Sequence, residues 1–321
     1  MDLIYTDADK QDVGIIQGHS LDMAYGNDEN NFECTVDVNM HCCEPGSLLY
    51  VEDTEYGGIV DAVKVNTGNS NVTYSGRTWH GILEGKVLCP DEGQDYLVLN
   101  GEANQVLSAI IARIGLSGMF VASTDNSGIQ ISNYKMNRYI GGYSGIRKML
   151  AAAGAKLCMR YRMGIVLLSA VPLVDYSQDE EWDSSQMDFI IEKNSRPVNH
   201  MICLGQGELK DRVVLHLYAD ASGNLSNSQS LTGEDEVTEV YDNSNAESLE
   251  ELREGGTERL MEAYAGANTL DVDFDSDETY DIGDIVGARE SITGVNVTRE
   301  IVKKIVTINR NGMKIKCQIG D

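Results

Sequence analysis

Hydrophobic and polar residues alternate along the N-terminal part of the chain, which is the pattern of half-buried β-strands. The run 32–40 places every second residue, from Phe32 to Met40, on one apolar face. Similar short runs, separated by segments rich in turn-forming residues, occupy 47–52, 58–65, 72–76 and 79–83. Short strands at this spacing predict an antiparallel β-barrel or sandwich, and we assign residues 1–95 to an N-terminal barrel domain.

The spacing of apolar residues becomes helical near residue 100. Apolar side chains between Val106 and Ile114 predict a helix over 102–114 that stops at Gly115. A second helix is predicted to begin with Ser144 as its N-cap and to end at Gly154. A hairpin with strands at 155–161 and 165–170 follows it. Residues 96–175 are therefore predicted to form a small α/β domain.

Strand patterns return in the last part of the chain, at 198–205, 212–219, 269–274, 285–289, 298–309 and 313–319. The turn 309–312 contains an Asn-Gly pair, which favours a hairpin between the last two strands. Residues 246–265 are typical of a surface helix, although Gly255 and Gly256 predict a bend or two short helices. Residues 176–321 are predicted to form a second β-barrel domain with a helical insertion at about 244–266. The predicted fold class is mainly β with α+β, with a small α/β domain between two antiparallel barrel-like domains.

The charge of the chain is strongly acidic and unevenly distributed. Its 321 residues include 51 acids and 25 bases, which gives a formal net charge of −26. Residues 220–284 contain 19 acids and two bases, whereas 285–321 have an excess of four bases. These stretches either pair, within or between subunits, or form solvated faces. Such a surface argues against sequence-independent binding to nucleic-acid phosphates and against docking on anionic lipid.

The sequence also indicates no membrane-spanning segment and no secretory signal. No apolar run approaches the ~20 residues that span a bilayer. Residues 1–12 lack the apolar stretch of a signal peptide.

Few side chains are arranged for metal binding or redox chemistry. The seven cysteines lack a Cys-x-x-Cys motif and are predicted to be free thiols that pack as small hydrophobic groups. His41, Cys42 and Cys43 are the one local group of soft ligands, but a zinc site needs about four. Residues 271–278 resemble a calcium loop, yet Ser276 and Ile282 replace the glycine and glutamate of an EF-hand. We interpret that stretch as an edge strand with a charged outer face.

The motifs of the common enzyme classes are also missing. No phosphate-binding glycine loop, Gly-x-Ser-x-Gly elbow or His-Glu-x-x-His motif is present. Of the five histidines, His200 and His216 lie in apolar strand patterns, where a satisfied core or interface role is the usual one, and His80 follows Trp79 in a predicted strand. We therefore predict that the chain is not an enzyme, and we assign no catalytic, cofactor-binding or metal-binding residues.

Several short motifs resemble the tail-hub family of bacteriophages, the siphophage tail-tip proteins related to myophage baseplate hubs. Residues 56–63 (Tyr-Gly-Gly-Ile-Val-Asp-Ala-Val), 72–77 and 79–83 are similar to strands that close the first barrel of such hubs. The family's Leu-x-x-Arg ending appears here with Lys86 in place of arginine. Residues 279–286 (Thr-Tyr-Asp-Ile-Gly-Asp-Ile-Val) are similar to a turn in the late barrel, and the helices and hairpin of 102–170 resemble the middle domain.

The resemblance implies a structural protein of the virion tail tip or baseplate, synthesised in the host cytoplasm. Such hubs are homotrimers whose barrels form a ring that joins the tail tube to the distal tip and encloses a DNA channel. The implied partners are distal tail or tube proteins, the tape-measure protein and tip or fibre proteins, without specific nucleic-acid binding or stable membrane insertion. Many hubs carry a C-terminal peptidoglycan-cleaving domain, which we do not expect after Asp321.

Two other classes of function remain open at this stage. A cell-wall-directed hydrolase would require a pocket that holds His80 or His200 beside a carboxylate and a nucleophile. A calcium-dependent surface adhesin would use residues 271–278.

Overall fold

The computed structural model describes residues 2–177, 181–183, 190–193, 196–226, 228–246, 248–265, 268–271, 273–276, 280–289 and 296–320. The helices within these ranges are α1 (Trp79–Glu84), α2 (Ala103–Arg113), α3 (Gly142–Ala151) and α4 (Leu249–Ala265). The first strands are β1 (Ile4–Thr6), β2 (Asp12–Ile15), β3 (Ser20–Gly26), β4 (Asn31–Asp37), β5 (Leu48–Tyr50), β6 (Gly57–Asn66), β7 (Asn71–Thr78), β8 (Val87–Leu88), β9 (Leu97–Glu102), β10 (Phe120–Ala122), β11 (Gln130–Met136), β12 (Ile140–Gly141), β13 (Ala155–Arg162) and β14 (Ile165–Pro172).

The later strands are β15 (Glu181–Asp183), β16 (Ile190–Lys193), β17 (His200–Leu204), β18 (Val214–Ala219), β19 (Leu225–Ser226), β20 (Thr238–Asp242), β21 (Asn268–Asp271), β22 (Asp273–Ser276), β23 (Ile285–Arg289), β24 (Asn296–Asn309) and β25 (Gly312–Ile319). The chain divides into two compact units. The first contains Met1–Glu181, Val272–Gly287 and Thr298–Gly320, and the second contains Trp182–Asp271 and Ala288–Val297.

A large antiparallel sheet forms much of the first unit. It contains the consecutive order β23-β24-β3-β4-β7-β6-β5-β1-β2, and β25 pairs with both β24 and β22. Alternate side chains of its central strands are buried: Leu21, Met23, Tyr25, Phe32, Cys34, Val36, Val72 and Tyr74. The sequence pattern predicted this for β4 and β7 but not for β3. The predicted strand 32–40 is too long, because β4 ends at Asp37 and Val38–Met40 forms a 3-10 helix in which Val38 and Met40 are exposed. The C-terminal strand β24 joins this sheet by pairing with β3, with Ile305 opposite Ala24.

The closed barrels predicted from the sequence are corrected, because the described strands form open sheets. Strands that we assigned to two different barrels share one sheet through the pairing of β24 with β3. Alternation shows which face of a strand is buried, but it does not show which distant strand is its neighbour. The mainly β class is confirmed, whereas the domain boundaries at 95 and 175 stay a prediction.

The predicted α/β elements lie within the first unit, and they share a hydrophobic core with Leu48 and Tyr50 of the large sheet and with Trp79 of α1. Helix α2 agrees with the predicted helix, and β13 and β14 form the predicted hairpin, with β10 parallel to β14. Met163 and Gly164 both have positive φ values (51° and 85°), as a two-residue hairpin turn requires. Helix α3 begins at Gly142 with Gly141 as its N-cap, so the prediction of Ser144 as the cap is wrong. Instead, Ser144 donates from its backbone N–H and its hydroxyl to Glu84, at 2.8 Å each.

Residues 79–83 form helix α1 and not the strand that we predicted. Thr78 caps this helix by accepting the N–H of Gly81 (3.2 Å), and Trp79, Ile82 and Leu83 lie at helical spacing on its buried side. A side chain at Gly81 would place its Cβ 2.1 Å from the carbonyl oxygen of Asn30. The apolar run 79–83 is short enough to fit the period of a strand or that of a helix, and the cap at Thr78 favours the helix.

In the second unit, helix α4 packs on a four-stranded sheet of order β19-β18-β17-β20. The hydrophobic core of the second unit contains Met201, Cys203, Leu217, Ala219, Ala246, Leu252 and Leu260. Helix α4 continues through Gly255 and Gly256, so the predicted interruption is wrong. The two glycines allow a close approach: a Cβ would lie 2.5 Å from Tyr241 Oη at Gly255 and 2.2 Å from Cys203 Sγ at Gly256.

Candidate functional site

Five charged side chains in the first unit form a continuous set of ion pairs, which we call the charge network: Glu55, Lys156, Asp281, Asp284 and Lys304. Lys156, Asp284 and Lys304 are buried, whereas Glu55 and Asp281 are partly exposed. Lys304 Nζ lies 3.0 Å from Glu55 and 2.9 Å from Asp281. Lys156 Nζ lies 2.8 Å from Asp281 and 2.7 Å from Asp284. Asp281 therefore bridges the two lysines through its two carboxylate oxygens.

The local structure of the C-terminal segments explains how these groups become buried. Lys304 shares the inward face of β24 with Val306 and Ile308, and 2% of its side chain is exposed. The turn before β23 contains Gly283 at a φ of 100°, a conformation that favours glycine. Asp284 closes this turn and accepts the backbone N–H groups of Asp281 (2.9 Å) and Val174 (3.0 Å).

The electrostatics of the network favour the charged forms. Burial lowers the pKa of Lys304, but the carboxylates of Glu55 and Asp281 outweigh it, and the pKa lies above its usual value. Lys156 behaves in the same way, because its bonds to Asp281 and Asp284 outweigh burial. Burial raises the pKa of Asp281, but the two lysines hold it below its usual value. The ion pairs hold together the chain segments that carry these residues. Removing the partner of a buried lysine would leave its charge uncompensated.

A cavity of about 170 Å³ lies beside the network and brings together His80, Glu55 and Cys158. His80 Nε2 lies 3.9 Å from a Glu55 oxygen, and the imidazole ring stacks on Tyr25 with centroids 4.1 Å apart. Tyr25 is fully buried and donates its hydroxyl to Glu55 at 2.7 Å. Sequence reasoning placed His80 in a strand, whereas helix α1 carries it into this core.

The chemistry of this cavity does not match the criterion that we set for a hydrolase. Burial lowers the pKa of His80 to about 4, so the ring is neutral near pH 7. Its Nδ1 is buried without a hydrogen-bond partner among the described residues. Burial also raises the pKa of Cys158, which keeps that thiol protonated and weakly nucleophilic. A nucleophile bonded to His80 is thus missing from the part of the chain that the structure describes.

In the second unit, His200 and His216 are hydrogen-bonded to each other. His200 Nε2 lies 2.8 Å from His216 Nδ1, and His200 Nδ1 lies 2.6 Å from Glu236. His200 is buried on β17, whereas His216 on the neighbouring β18 is exposed. The bond to His200 lowers the pKa of Glu236. His200 is thus a satisfied buried histidine, as predicted, and its partners are His216 and Glu236.

The described residues contain neither a clustered set of metal ligands nor a membrane-spanning helix. Those residues contain no group of three or more His, Cys, Asp or Glu side chains placed to hold a metal ion. His41 Nδ1 lies 3.0 Å from the hydroxyl of Tyr74. The calcium candidate 271–278 lies partly outside the described residues, at 272, 277 and 278. No helix in the described ranges is long and apolar enough to cross a bilayer.

The acidic and basic stretches meet within the chain, both at a Lys304–Asp281 ion pair and where strand β22 pairs with β25. Lys304 of the basic stretch binds Asp281 of the acidic stretch. The neighbouring Lys303 lies on the other face of β24, and its Nζ is 2.8 Å from a carboxylate oxygen of Glu29. Sequence reasoning placed Asp281 and Asp284 in the hub-like motif 279–286, but it assigned no site role to any residue of the network. The available signal was a lysine in register with Val306 and Ile308 on the apolar face of a strand.

Comparison with solved structures shows that the chain has the fold of phage tail proteins. The 43 kDa tail protein of prophage MuSo2 from Shewanella oneidensis matches with a TM-score of 0.56 at 10% identity, covering 100% of this chain and 98% of the other. Prophage tail protein gp18 from Listeria monocytogenes EGD-e gives 0.52 at 12% identity, with coverages of 99% and 94%. A tail protein from Neisseria meningitidis MC58 gives 0.50 at 12% identity, with coverages of 97% and 94%.

These matches confirm, at the level of fold, the resemblance found in the sequence. No protein-family profile matches the sequence, and a search of curated proteins finds no match. The solved tail proteins align over nearly their whole length, so the likeness extends beyond a single shared subdomain.

Proposed function

We propose that this chain is a structural component of a phage or phage-like tail tip or baseplate hub. In this role it forms a homotrimeric ring that joins the tail tube to the distal tip and surrounds the DNA channel. The observation that carries the proposal is the end-to-end match to prophage tail proteins, 98% of the length of one of them. Its partners are the distal tail or tube proteins, the tape-measure protein and tip or fibre proteins, and its location is the virion.

An exposed sheet edge supports the assembly of several copies. Strand β2 lies at one end of the large sheet, where its partner among the described strands is β1. Its residues Val13 and Ile15 are 55% and 46% exposed. A free edge with apolar side chains invites pairing with another chain, and a closed ring removes such edges. The neighbouring copy would complete the sheet that is open in one chain.

The charge of the chain is consistent with a channel for DNA. The formal net charge of −26 repels the phosphate backbone, so DNA would slide past such a surface without binding. The proposal therefore includes no specific nucleic-acid recognition. It assigns no enzymatic step to this chain.

The experiment that tests the proposal is deletion of the gene in the phage or prophage that encodes it, with complementation in trans. We expect particles without a tail tip, or heads without attached tails, and restored particles after complementation. Labelling a tagged copy with gold should then mark the distal end of the tail. Normal infectious particles after deletion, or label on the head, would contradict the proposal.

A further inference from the structure

A tight loop before β5 holds two adjacent cysteines in an unusual arrangement. The backbone N–H groups of Cys42 and Cys43 both donate to the hydroxyl oxygen of Tyr74, at 2.9 and 3.3 Å. Tyr74 is fully buried on β7, in the middle of the large sheet. Two successive peptide groups are therefore anchored to one fixed point. The hydroxyl of Tyr74 thus ties the loop to the large sheet.

This anchoring places the two thiols side by side. The Sγ atoms of Cys42 and Cys43 are 3.6 Å apart, and both cysteines are free. Cys42 is half-buried, whereas 1% of Cys43 is exposed. Solvent thus reaches one thiol of the pair while the other lies directly behind it.

The two thiols also differ in acidity. The hydrogen bond from Cys43 lowers the pKa of Cys42 to about 7, so a large part of Cys42 is thiolate at neutral pH. The same hydrogen bond, together with burial, raises the pKa of Cys43. An accessible thiolate beside a buried thiol is the arrangement of an attacking cysteine and a resolving cysteine.

We propose that Cys42 and Cys43 form a redox modification site, at which a small-molecule disulfide oxidises the pair to a Cys42–Cys43 disulfide. The Cys42 thiolate attacks one sulfur of the small disulfide, forms a mixed disulfide and releases the first small thiolate. Cys43 then loses its proton to solvent and attacks Cys42 Sγ, which releases the second small thiolate. Two protein thiols are oxidised and one small disulfide is reduced to two thiols, so atoms and electrons balance.

A disulfide between two adjacent cysteines closes a strained ring, and we expect it to be readily reduced again. Consecutive Cα atoms are about 3.8 Å apart, which is shorter than the roughly 4.4–6.8 Å of ordinary disulfides. Strained disulfides have higher reduction potentials and belong to the labile, regulatory group. The site is therefore expected to respond to the redox state of the surroundings.

Cys34 provides the contrasting case in the same sheet. It is fully buried, and burial raises its pKa to about 12, so it remains a protonated thiol that fills space. A thiol of this kind is expected to resist the same oxidant.

The test exposes the folded chain to excess oxidised glutathione in a Cys89→Ser background, because Cys89 is exposed and would form its own adduct. Peptide mapping by mass, with thiol counting in denaturant, follows each cysteine. We expect Cys42 and Cys43 to disappear together as a disulfide without glutathione attached, and dithiothreitol to restore both. Cys34 should stay reduced.

Single variants distinguish the two roles. Cys43→Ser should accumulate a stable glutathione adduct at Cys42, and Cys42→Ser should leave Cys43 unmodified. Thermal unfolding of each variant checks that it is folded, and mapping of the Cys89→Ser chain is informative even if a variant is not. A stable glutathione adduct at Cys42 while Cys43 is present, or no reaction at either cysteine, would overturn the proposal.

Discussion

Asp284 and Lys156 lie 128 positions apart in the sequence, and their side chains form a buried ion pair with a 2.7 Å contact. Lys156 lies near the start of β13, and Asp284 closes the turn that precedes β23. Since Asp284 also accepts two backbone N–H groups, its carboxylate fixes this turn against the segment that carries Lys156. The Gly-Asp turn that resembles a hub motif in the sequence thus has a structural task within the first unit.

Replacing Lys304 with methionine should strongly destabilise the first unit. The change leaves the carboxylates of Glu55 and Asp281, which are 20% and 42% exposed, beside each other without their shared cation. Breaking a fully buried pair costs about 3–5 kcal/mol, and partial exposure of the carboxylates should reduce the loss here to roughly 2–3 kcal/mol. Lys303→Met is the matched control on the other face of β24. Its partners, Asp28 and Glu29, are exposed carboxylates, so its loss should cost less than about 1 kcal/mol.

The measurement for this pair is chemical unfolding followed by fluorescence of Trp79, in a Trp182→Phe background so that one tryptophan reports. Equal losses of unfolding free energy in the two lysine variants would contradict the assigned role of the network.

His80 should make the stability of the first unit depend on pH. Its pKa is about 4 in the folded chain, against about 6.5 when unfolded. Between these values the unfolded chain binds a proton that the folded chain does not, so stability falls as pH falls from 6.5 to 4. At pH 4 the unfolding free energy should be lower by about 3 kcal/mol than at pH 6.5 because of His80 alone.

His80→Phe keeps a ring against Tyr25 and removes the titration. The difference in unfolding free energy between wild type and this variant should change across the window, as measured by denaturant unfolding at several pH values. His19→Gln is the control that removes another histidine of the first unit. Parallel curves for wild type and His80→Phe would show that His80 is not the titrating group.

Gly256→Ala should destabilise the second unit, although alanine in a helix interior usually gains about 1 kcal/mol over glycine. The reason is the contact with the sheet, where a new Cβ would lie 2.2 Å from Cys203 Sγ. Overpacking of this kind costs about 1–3 kcal/mol. Thermal unfolding followed by helical circular dichroism provides the comparison.

A double-mutant cycle makes the same prediction specific. In a Cys203→Ala background the sulfur is absent, so Gly256→Ala should cost clearly less than it does in wild type. The same cost in both backgrounds would rule out the proposed contact.

The exposed edge of β2 should contribute to assembly. The double substitution Val13→Lys and Ile15→Lys adds charges at this edge, which opposes pairing with another strand. We expect weaker association of copies, measured by sedimentation, with unchanged thermal stability of the isolated chain. Val65→Lys is the control, because Val65 is also 55% exposed but lies on a different strand, β6, where it pairs with Val72 of β7. Loss of assembly in Val65→Lys alone would exclude the β2 edge as the contact.

The sequence predicted the elements whose determinants are local. Helix α2 has its own periodicity, and the hairpins β13–β14 and β24–β25 have turn residues that specify them. Helix α1 is not predicted by the pattern, because residues 79–83 fit both periods and only the Thr78 cap favours the helix. The continuity of α4 was missed because glycine propensity was considered without the sheet that the helix contacts.

The charge network required information that no local pattern contains. Its members come from segments that are far apart in the sequence: Lys304 and Glu55, for example, are separated by 249 positions. One lysine on an apolar strand face indicates that a buried partner exists, but it does not identify Glu55 or Asp281. The resemblance to tail hubs, by contrast, is visible in the sequence because it rests on short contiguous motifs.

The central claim, a ring-forming tail hub, is tested most directly by the mass of the assembled protein. Light scattering of the purified chain, alone and co-expressed with the neighbouring tail proteins, should give a species of three times 35.2 kDa in at least one condition. Negative-stain microscopy of that species should show a ring with a central hole. A chain that stays monomeric in both conditions, with no ring in the micrographs, would contradict the account.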